Sequence, residues 1–303
     1  MLPFSRVAII GFGLIGSSIA RAVRAYMPTV ALTGHDADAV VRERAMVLDL
    51  FDDVTDTPGA AVTDADLVIL CVPVGAMGEV GAAIADELAA GAIVSDVGSA
   101  KASVLRDLRA TLPADTPIIP GHPVAGTEYS GPDAGFATLF RQRWCILTPE
   151  DGADATAVER LRSFWTRLGA NVEMMDARHH DLVLAVTSHL PHLIAYTIVG
   201  TASDLEDVTQ SEVIKYSAGG FRDFTRIAAS DPTMWRDVFL SNKDAVLEML
   251  QRFSEDLTML QRAIRWDDGE TLFNLFTRTR AVRRGIIEQG QDDPGPDFGR
   301  SHS

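Results

Sequence analysis

Hydrophobic positions change their spacing along this chain, and the change divides it in two. Residues 6–10 (RVAII) form an unbroken apolar, β-branched run, the pattern of a parallel strand buried on both faces. The chain then passes through Gly11-Phe12-Gly13-Leu14-Ile15-Gly16 into SSIARAVRAYM, where Ile15, Ile19, Ala22 and Val23 share one helical face. Further strands are predicted over 30–34, 67–72, 93–96, 117–120, 144–148 and 171–175, with helical spacing over 76–88, 101–112 and 155–168. Strands alternating with helices predict an α/β fold: an N-terminal, doubly wound, mostly parallel sheet over 1–176, its layer completed by the last helix and strand.

From residue 177 no strand pattern recurs. Helices are predicted over 179–202, 208–216, 232–264 and 270–288, which makes 177–290 an all-α domain. Within 232–264, Leu250, Phe253, Leu257, Leu260 and Ile264 repeat every three or four residues. That seam either packs inside the chain or meets a second copy of it. Residues 291–303 are polar and rich in proline and glycine, and disorder is expected there.

Composition narrows the class. The chain has 303 residues, 47% hydrophobic and 23% charged, an ordinary soluble balance with room for two domains. Its 42 acidic against 27 basic residues give a net charge of −15, which repels nucleic acid and anionic membrane surfaces. No uncharged apolar run is expected to span a bilayer, and the early start of the glycine motif leaves no room for a signal peptide. Cys71 and Cys145 lie in apolar, strand-like segments, so they are expected to be reduced core residues of a cytoplasmic protein.

Three constellations carry candidate chemistry. Gly11, Gly13 and Gly16 stand between a strand and a helix, the setting in which this motif binds a dinucleotide. Gly11 permits the tight turn, Gly13 the approach of a pyrophosphate, and Gly16 the packing of helix on strand, with Leu14 and Ile15 counted among the contacts. Asp36, 20 residues after Gly16, can accept from the adenosine ribose hydroxyls and would repel a 2′-phosphate, favouring NAD. Val72 and Pro73, after the strand over 67–72, are expected to add cofactor wall. Together these predict a Rossmann-type domain.

The second constellation is DVGSAK (96–101), where Ser99 either faces the ligand crevice or caps the following helix. It joins PGHPVAGTEYS (120–130), a loop of prolines and glycines bearing His122, Thr127, Glu128 and Ser130. Pro120, Gly121, Pro123 and Gly126 exclude a helix or a central strand there. A histidine at this edge can accept the hydroxyl proton as hydride leaves carbon. The third lies in the helical half. His189 and His192 (SHLPH) share a helix face, and Arg222 and Arg226, reached through Gly219-Gly220, can present a fork to a carboxylate beside Trp235. His179, His180 and Asp181 lie near enough to leave a metal as an alternative. No further carboxylate or thiolate has ligand spacing, and no metal is expected.

GFGLIG, DVGSAK, GHPVAGTEYSG, SHLPH and GGFRDFTRIAASDPTMWRDVFLSNK, in that order, resemble the prephenate/arogenate dehydrogenase family over about residues 5–287. The resemblance implies NAD-dependent oxidative decarboxylation of prephenate to 4-hydroxyphenylpyruvate, of arogenate to tyrosine, or of both. It implies that His122 takes the proton of the ring 4-hydroxyl, that Ser99 orients that pair and also touches the cofactor, and that Arg226 binds a substrate carboxylate. It places His192, Glu128, Arg222 and Trp235 around the substrate, some supplied by a partner subunit of a homodimer formed through the helical domain. Arg222 stands where some relatives have lysine. Neither end is expected to hold a regulatory domain. Two other readings stay open: a β-hydroxyacid-type dehydrogenase using Lys215 or Lys243 as acid/base, and an NAD-binding redox sensor without catalysis.

Overall fold

The computed structural model describes residues 2–127, 129–204 and 219–288. By internal packing the chain forms two compact units, Met1–Val246 and Leu247–Ser303, so the change from strands to helices at 176/177 falls inside the first. In that unit β1 (Arg6–Ile10), β2 (Ala31–His35), β3 (Asp53–Val54), β4 (Leu67–Leu70) and β5 (Ile93–Asp96) form a parallel sheet in the order β3-β2-β1-β4-β5. Growth of the sheet reverses between β1 and β4, and in open α/β sheets the crevice at that point receives the ligand.

The helices are α1 (Leu14–Tyr26), α2 (Ala39–Val47), α3 (Pro58–Val62), α4 (Met77–Ile84), α5 (Ala102–Thr111) and α6 (Ala155–Arg167). Period-two alternation sorts the strand residues between two cores. Val7, Ile9, Leu67 and Ile69 pack with Ile19 and Val23 of α1 and Phe164 and Trp165 of α6. Ala8, Ile10, Val68 and Leu70 pack with Met77 and Ile84 of α4 and Val104 and Leu108 of α5. Both faces of the sheet are thereby covered, which is why its strands read as continuous apolar runs.

The sheet does not extend as the alternation predicts. β6 (Gly121–Pro123), β7 (Trp144–Leu147) and β8 (Asn171–Met174) form a second sheet in the order β6-β7-β8, with β6 antiparallel to β7. The segment 117–120 makes a single bridge, Val94 to Ile118, instead of a strand. Pro117 and Pro120 lack the N–H groups that a ladder there needs. The strand is shifted to 121–123, where Pro123 is tolerated because β6 lies at the edge of its sheet.

α7 (Ala177–Leu184), a π-helical turn (Ala185–His189) and α8 (Leu190–Ser203) run on as one helical stretch. Against expectation, Ala177–Ser203 is long and apolar enough by composition to cross a bilayer. Yet its His180, Asp181 and His189 are buried and hydrogen-bonded within the first unit. The helix expected over 208–216 lies outside the described residues, as does the tail from 291. α9 (Gly219–Thr225) and α10 (Pro232–Ser241) follow, then α11 (Lys243–Arg265) and α12 (Gly269–Glu288). The single helix predicted over 232–264 is broken at Asn242, whose backbone leaves the helical region (φ −108°, ψ 33°) and whose buried amide bonds α7 and the π turn. The seam on α11 is only partly covered: Leu250, Phe253 and Leu260 are half-buried, while Leu257 is 42% and Ile264 64% exposed.

The glycine turn supplies a test of the fold. A Cβ on Gly16 would lie 2.0 Å from the Gly11 carbonyl oxygen, whereas one on Gly13 would meet nothing within 4 Å. Gly16→Ala is therefore expected to cost about 1–3 kcal/mol or more in urea unfolding, and Gly13→Ala to stay within about 0.5 kcal/mol of the parent. Equal midpoints for the two variants would contradict this account of the turn.

Candidate active site

The site is built at the carboxyl ends of β1, β2, β4 and β5 and on β6 and α7. At the end of β1, Gly11 adopts φ +97°, and its N–H bonds the His35 carbonyl at 2.8 Å. A Cβ there would collide with the Cys71 carbonyl, so the turn requires glycine. α1 then starts at Gly13 with no capping side chain and no acid in its first turn. Its first amides, with the positive end of the helix dipole, are open to an anion, and the space over Gly13 is free.

Leu14 is buried and Ile15 half-buried against the turn. Asp36, just past β2, is pinned by two backbone amides: Phe12 N–H donates to Oδ2 at 2.7 Å and Asp38 N–H to Oδ1 at 2.9 Å. Val72 approaches Gly11, and Pro73 follows it on the surface. An uncapped helix start, open backbone at Gly13 and a fixed carboxylate at the end of β2 fit a dinucleotide.

Across the crevice, His122 sits in the middle of β6, buried. Its Nδ1 lies 2.9 Å from Nε2 of His180, and Nδ1 of His180 lies 2.9 Å from Oδ1 of Asp181. Among the described residues no hydrogen bond falls on His122 Nε2. The Asp181 carboxylate also accepts the backbone N–H groups of Lys101 (2.7 Å) and Ala102 (3.0 Å), which begin α5. Asp181 thus takes the capping role that was one of two open to Ser99; α5 has no cap from its own segment.

Lys101 is fully buried and pairs with Asp96 at the end of β5, while its Nζ donates to the Gly121 carbonyl at 2.7 Å. Asp96 also accepts from Gly98 N–H (2.7 Å) and Gly121 N–H (3.2 Å). Burial pushes the Asp96 carboxyl up and the Lys101 ammonium down, and each partner opposes the other's shift.

Asn242 orders the far side. Its Nδ2 donates to the Asp181 carbonyl (2.8 Å) and to Nδ1 of His189 (3.1 Å), so His189 carries its proton on Nε2. That Nε2 is buried and makes no hydrogen bond of ordinary geometry among the described residues, although the Ser99 backbone lies near the ring. Burial lowers His189 to about 4, with the Ser99 backbone acting against it. His192 donates Nδ1–H to the Ser188 carbonyl (2.8 Å) and stacks on Trp235 with ring centroids 3.6 Å apart. Burial also lowers His192, and nearby Arg226 adds to the shift.

The structure therefore joins His122, Ser99, His192, Trp235 and Arg226 through His180 and His189. Arg222 is exposed beside Asp223, 4.0 Å away, near the end of α9, and Arg226 opens the 3-10 turn that follows. Thr127 and Ser130 are exposed on the loop, and Glu128 lies outside the described residues. Lys243 is exposed at the start of α11, and Lys215 lies outside the described residues. Asp96, Lys101, His180, Asp181 and Asn242 were not singled out from sequence as site residues. The signals were present: a lysine inside DVGSAK, and the HHD triplet weighed only as metal ligands. Among the described residues no three His, Cys, Asp or Glu side chains are grouped to hold a metal.

Comparison with known proteins bears on this arrangement. Residues 19–174 match the model for the prephenate dehydrogenase nucleotide-binding domain, and 176–278 that for the prephenate dehydrogenase dimerization domain. The chain is 48% identical to a cyclohexadienyl dehydrogenase of Zymomonas mobilis, over 94% of this chain and 97% of that protein. It is 34% identical to a prephenate dehydrogenase of Bacillus subtilis, over 92% of this chain and 76% of that one. Among solved structures, the Aquifex aeolicus prephenate dehydrogenase with hydroxyphenyl propionate and NAD+ superposes with a TM-score of 0.87 at 32% identity, covering 93% of this chain and 98% of that one. Synechocystis arogenate dehydrogenase superposes at 0.78 with 26% identity, over 93% and 99% of the two chains.

The buried histidines set a pH dependence. Burial lowers His122, His180 and His189 alike, so each takes up a proton on unfolding below the ordinary imidazole value of 6.5. The unfolded state then binds more protons, and stability falls as pH drops from 6.5 toward about 4. The Asp96–Lys101 pair holds one proton between its members whether folded or unfolded, so it adds no slope in that window. His189 alone accounts for a loss on the order of 3 kcal/mol. Urea unfolding at pH 7, 6 and 5 is expected to show this decline, shallower by about one proton in His189→Gln; a flat profile would refute it.

Proposed function

The chain belongs to the prephenate dehydrogenase family, and we infer that His122 is the base of its active site. The protein is an NAD-dependent prephenate/arogenate dehydrogenase of tyrosine biosynthesis. The observation that carries His122 is its asymmetry: Nδ1 is engaged by His180 and Nε2 has no partner among the described residues. Burial holds its pKa well below 6.5, so the ring is neutral and able to accept a proton at physiological pH. The proton taken is that of the substrate's ring hydroxyl, and as that oxygen becomes a carbonyl, loss of carbon dioxide aromatises the ring.

Bound NAD supplies the hydride acceptor. Gly11, Gly13, Leu14, Ile15 and Gly16 would hold its pyrophosphate, Asp36 its adenosine ribose, and Val72, Pro73 and Ser99 the remaining wall. Arg226 provides the cation for a substrate carboxylate, with His192 and Trp235 beside it. Arg222 and Glu128 complete the proposed set, Arg222 through a partner subunit, since its own segment leaves it exposed.

Cofactor binding is assigned to 1–176 and substrate binding and dimerisation to 177–290, a division at which the two family models also meet. The partly covered α11 seam, and Phe273 and Phe276 of α12 at 69% and 57% exposure, suit burial against a second copy. Free cysteines fit a cytoplasmic enzyme. The 48% identical relative bears the broader name, cyclohexadienyl dehydrogenase, which favours acceptance of both prephenate and arogenate.

Formation of NADH at 340 nm, with NAD and prephenate or arogenate in parallel, tests this directly. Turnover is expected with both substrates; activity with one alone would narrow the specificity, and none from folded, NAD-binding protein would sink the assignment. His122→Asn is expected to lower kcat roughly 10²- to 10⁴-fold. Arg226→Ala is expected to raise the substrate KM about 10- to 100-fold, with little change for NAD.

A further inference from the structure

The proton accepted by His122 is governed by a neighbour that comparison of motifs did not single out. Asp181 receives two backbone N–H groups, those of Lys101 and Ala102. A backbone N–H cannot exchange donor for acceptor, so the carboxylate is an acceptor at all these contacts. His180 must therefore point its protonated Nδ1 at Asp181 Oδ1, 2.9 Å away. Fully buried and lowered by that burial, His180 is neutral, and a neutral ring protonated on Nδ1 has a bare Nε2. That bare nitrogen lies 2.9 Å from His122 Nδ1, which must then be the donor. The ring of His122 is left with one lone pair, on Nε2. Each tautomer in the series follows from the one before it, starting from main-chain amides at the head of α5.

We propose that His180 and Asp181 are positioning residues for proton abstraction: Asp181 locks the tautomer of His180, and His180 locks His122 with Nε2 bare and facing the substrate. The proposal rests on the assignment of His122 as the base. In the step, the substrate O–H bond breaks, an N–H bond forms at Nε2, and the Nδ1–H bond of His122 stays intact. The imidazolium so formed donates a charge-assisted hydrogen bond to His180, whose other nitrogen leans on the Asp181 anion. Lys101 and His189 also face His122, and both disfavour its charged form. Asp181 is the anion that opposes them, acting through His180. Lys101 contributes a second constraint, since its Nζ grips the carbonyl of Gly121 next to His122 in the chain.

Three variants and one spectrum test this. In His180→Leu the acceptor for His122 Nδ1–H is lost. Its kcat is expected to fall roughly 10²- to 10⁴-fold, with KM for NAD and prephenate changed less than about threefold. In His180→Gln the amide oxygen can take the same N–H, and kcat is expected to recover to within about tenfold of the parent. With ¹⁵N-labelled histidine, the parent at pH 7 is expected to show a pyridine-type Nε2 and a pyrrole-type Nδ1 for His122, assigned by its loss in His122→Asn.

A pyridine-type Nδ1 for His122 in the parent would overturn the proposal even if neither His180 variant folded. So would a wild-type kcat in His180→Leu, or a His180→Gln enzyme no better than His180→Leu. If instead His122→Asn keeps its turnover, the base itself has been misassigned, an outcome distinct from failure of the positioning pair alone.

Discussion

The geometry of the centre depends on one buried lysine held at both ends. Lys101 gives its backbone N–H to Asp181 on α7 and its ammonium to Asp96 on β5 and to the Gly121 carbonyl on β6. Three segments, the farthest of them 80 residues on from Lys101, thus meet at one residue. A buried ion pair is weak evidence for stability, because desolvation of both charges can exceed their attraction. Here the cost is offset by the amides of Gly98 and Gly121 on Asp96, which satisfy the remaining lone pairs. What the pair provides is register. β6 is a three-residue edge strand flanked by prolines, and three residues of ladder would not hold a histidine to a fraction of an ångström.

The second requirement is a helix that is apolar enough to pack yet polar where it meets the site. Ala177–Ser203 meets both by concentrating its polar groups at His180, Asp181, His189 and His192. The π turn at Ala185–His189 shifts the helical phase between the first pair and the second. Asn242 then stitches the turn to α7 with a single amide group, bonding the Asp181 carbonyl and the His189 ring together. The helix break at Asn242 and the orientation of His189 are therefore one feature. Continuing α10 through that residue would carry the amide away from both partners.

Much of this was legible in the sequence, and the part that was not has a common cause. The strand–glycine–helix unit, Asp36 after the second strand, and strands β1, β2, β4 and β5 all follow from local spacing; the two-residue β3 does not, and His122, expected on a loop, lies within β6. Of the two roles open to Ser99, the helix cap is the one the structure gives to another residue. A serine just before a helix is a usual local acceptor, and nothing nearby in sequence announces that a carboxylate 80 residues on from Lys101 takes its place. Lys101 was passed over because lysine is almost never fully buried. The HHD triplet suggested ligands because its two outward bonds, to His122 and to the head of α5, are tertiary. The single sheet failed for a different reason: proline removes donors, and apolar spacing does not report that.

A protein with a net charge of −15 that takes an anionic substrate has to solve the problem locally. Its inner site does so by neutrality. His122, His180 and His189 are all kept uncharged by burial, and the buried Lys101 is matched by Asp96. A neutral interior is also what the chemistry needs, since a base that is already protonated cannot take the hydroxyl proton. In the proposed site the cation for a carboxylate, Arg226 beside the His192–Trp235 stack, is a different group from the base. The distinction matters because an arginine in contact with His122 would lower its basicity further. In that proposal binding charge and proton chemistry are carried by different side chains, and the base can stay neutral while the substrate's charge is met elsewhere.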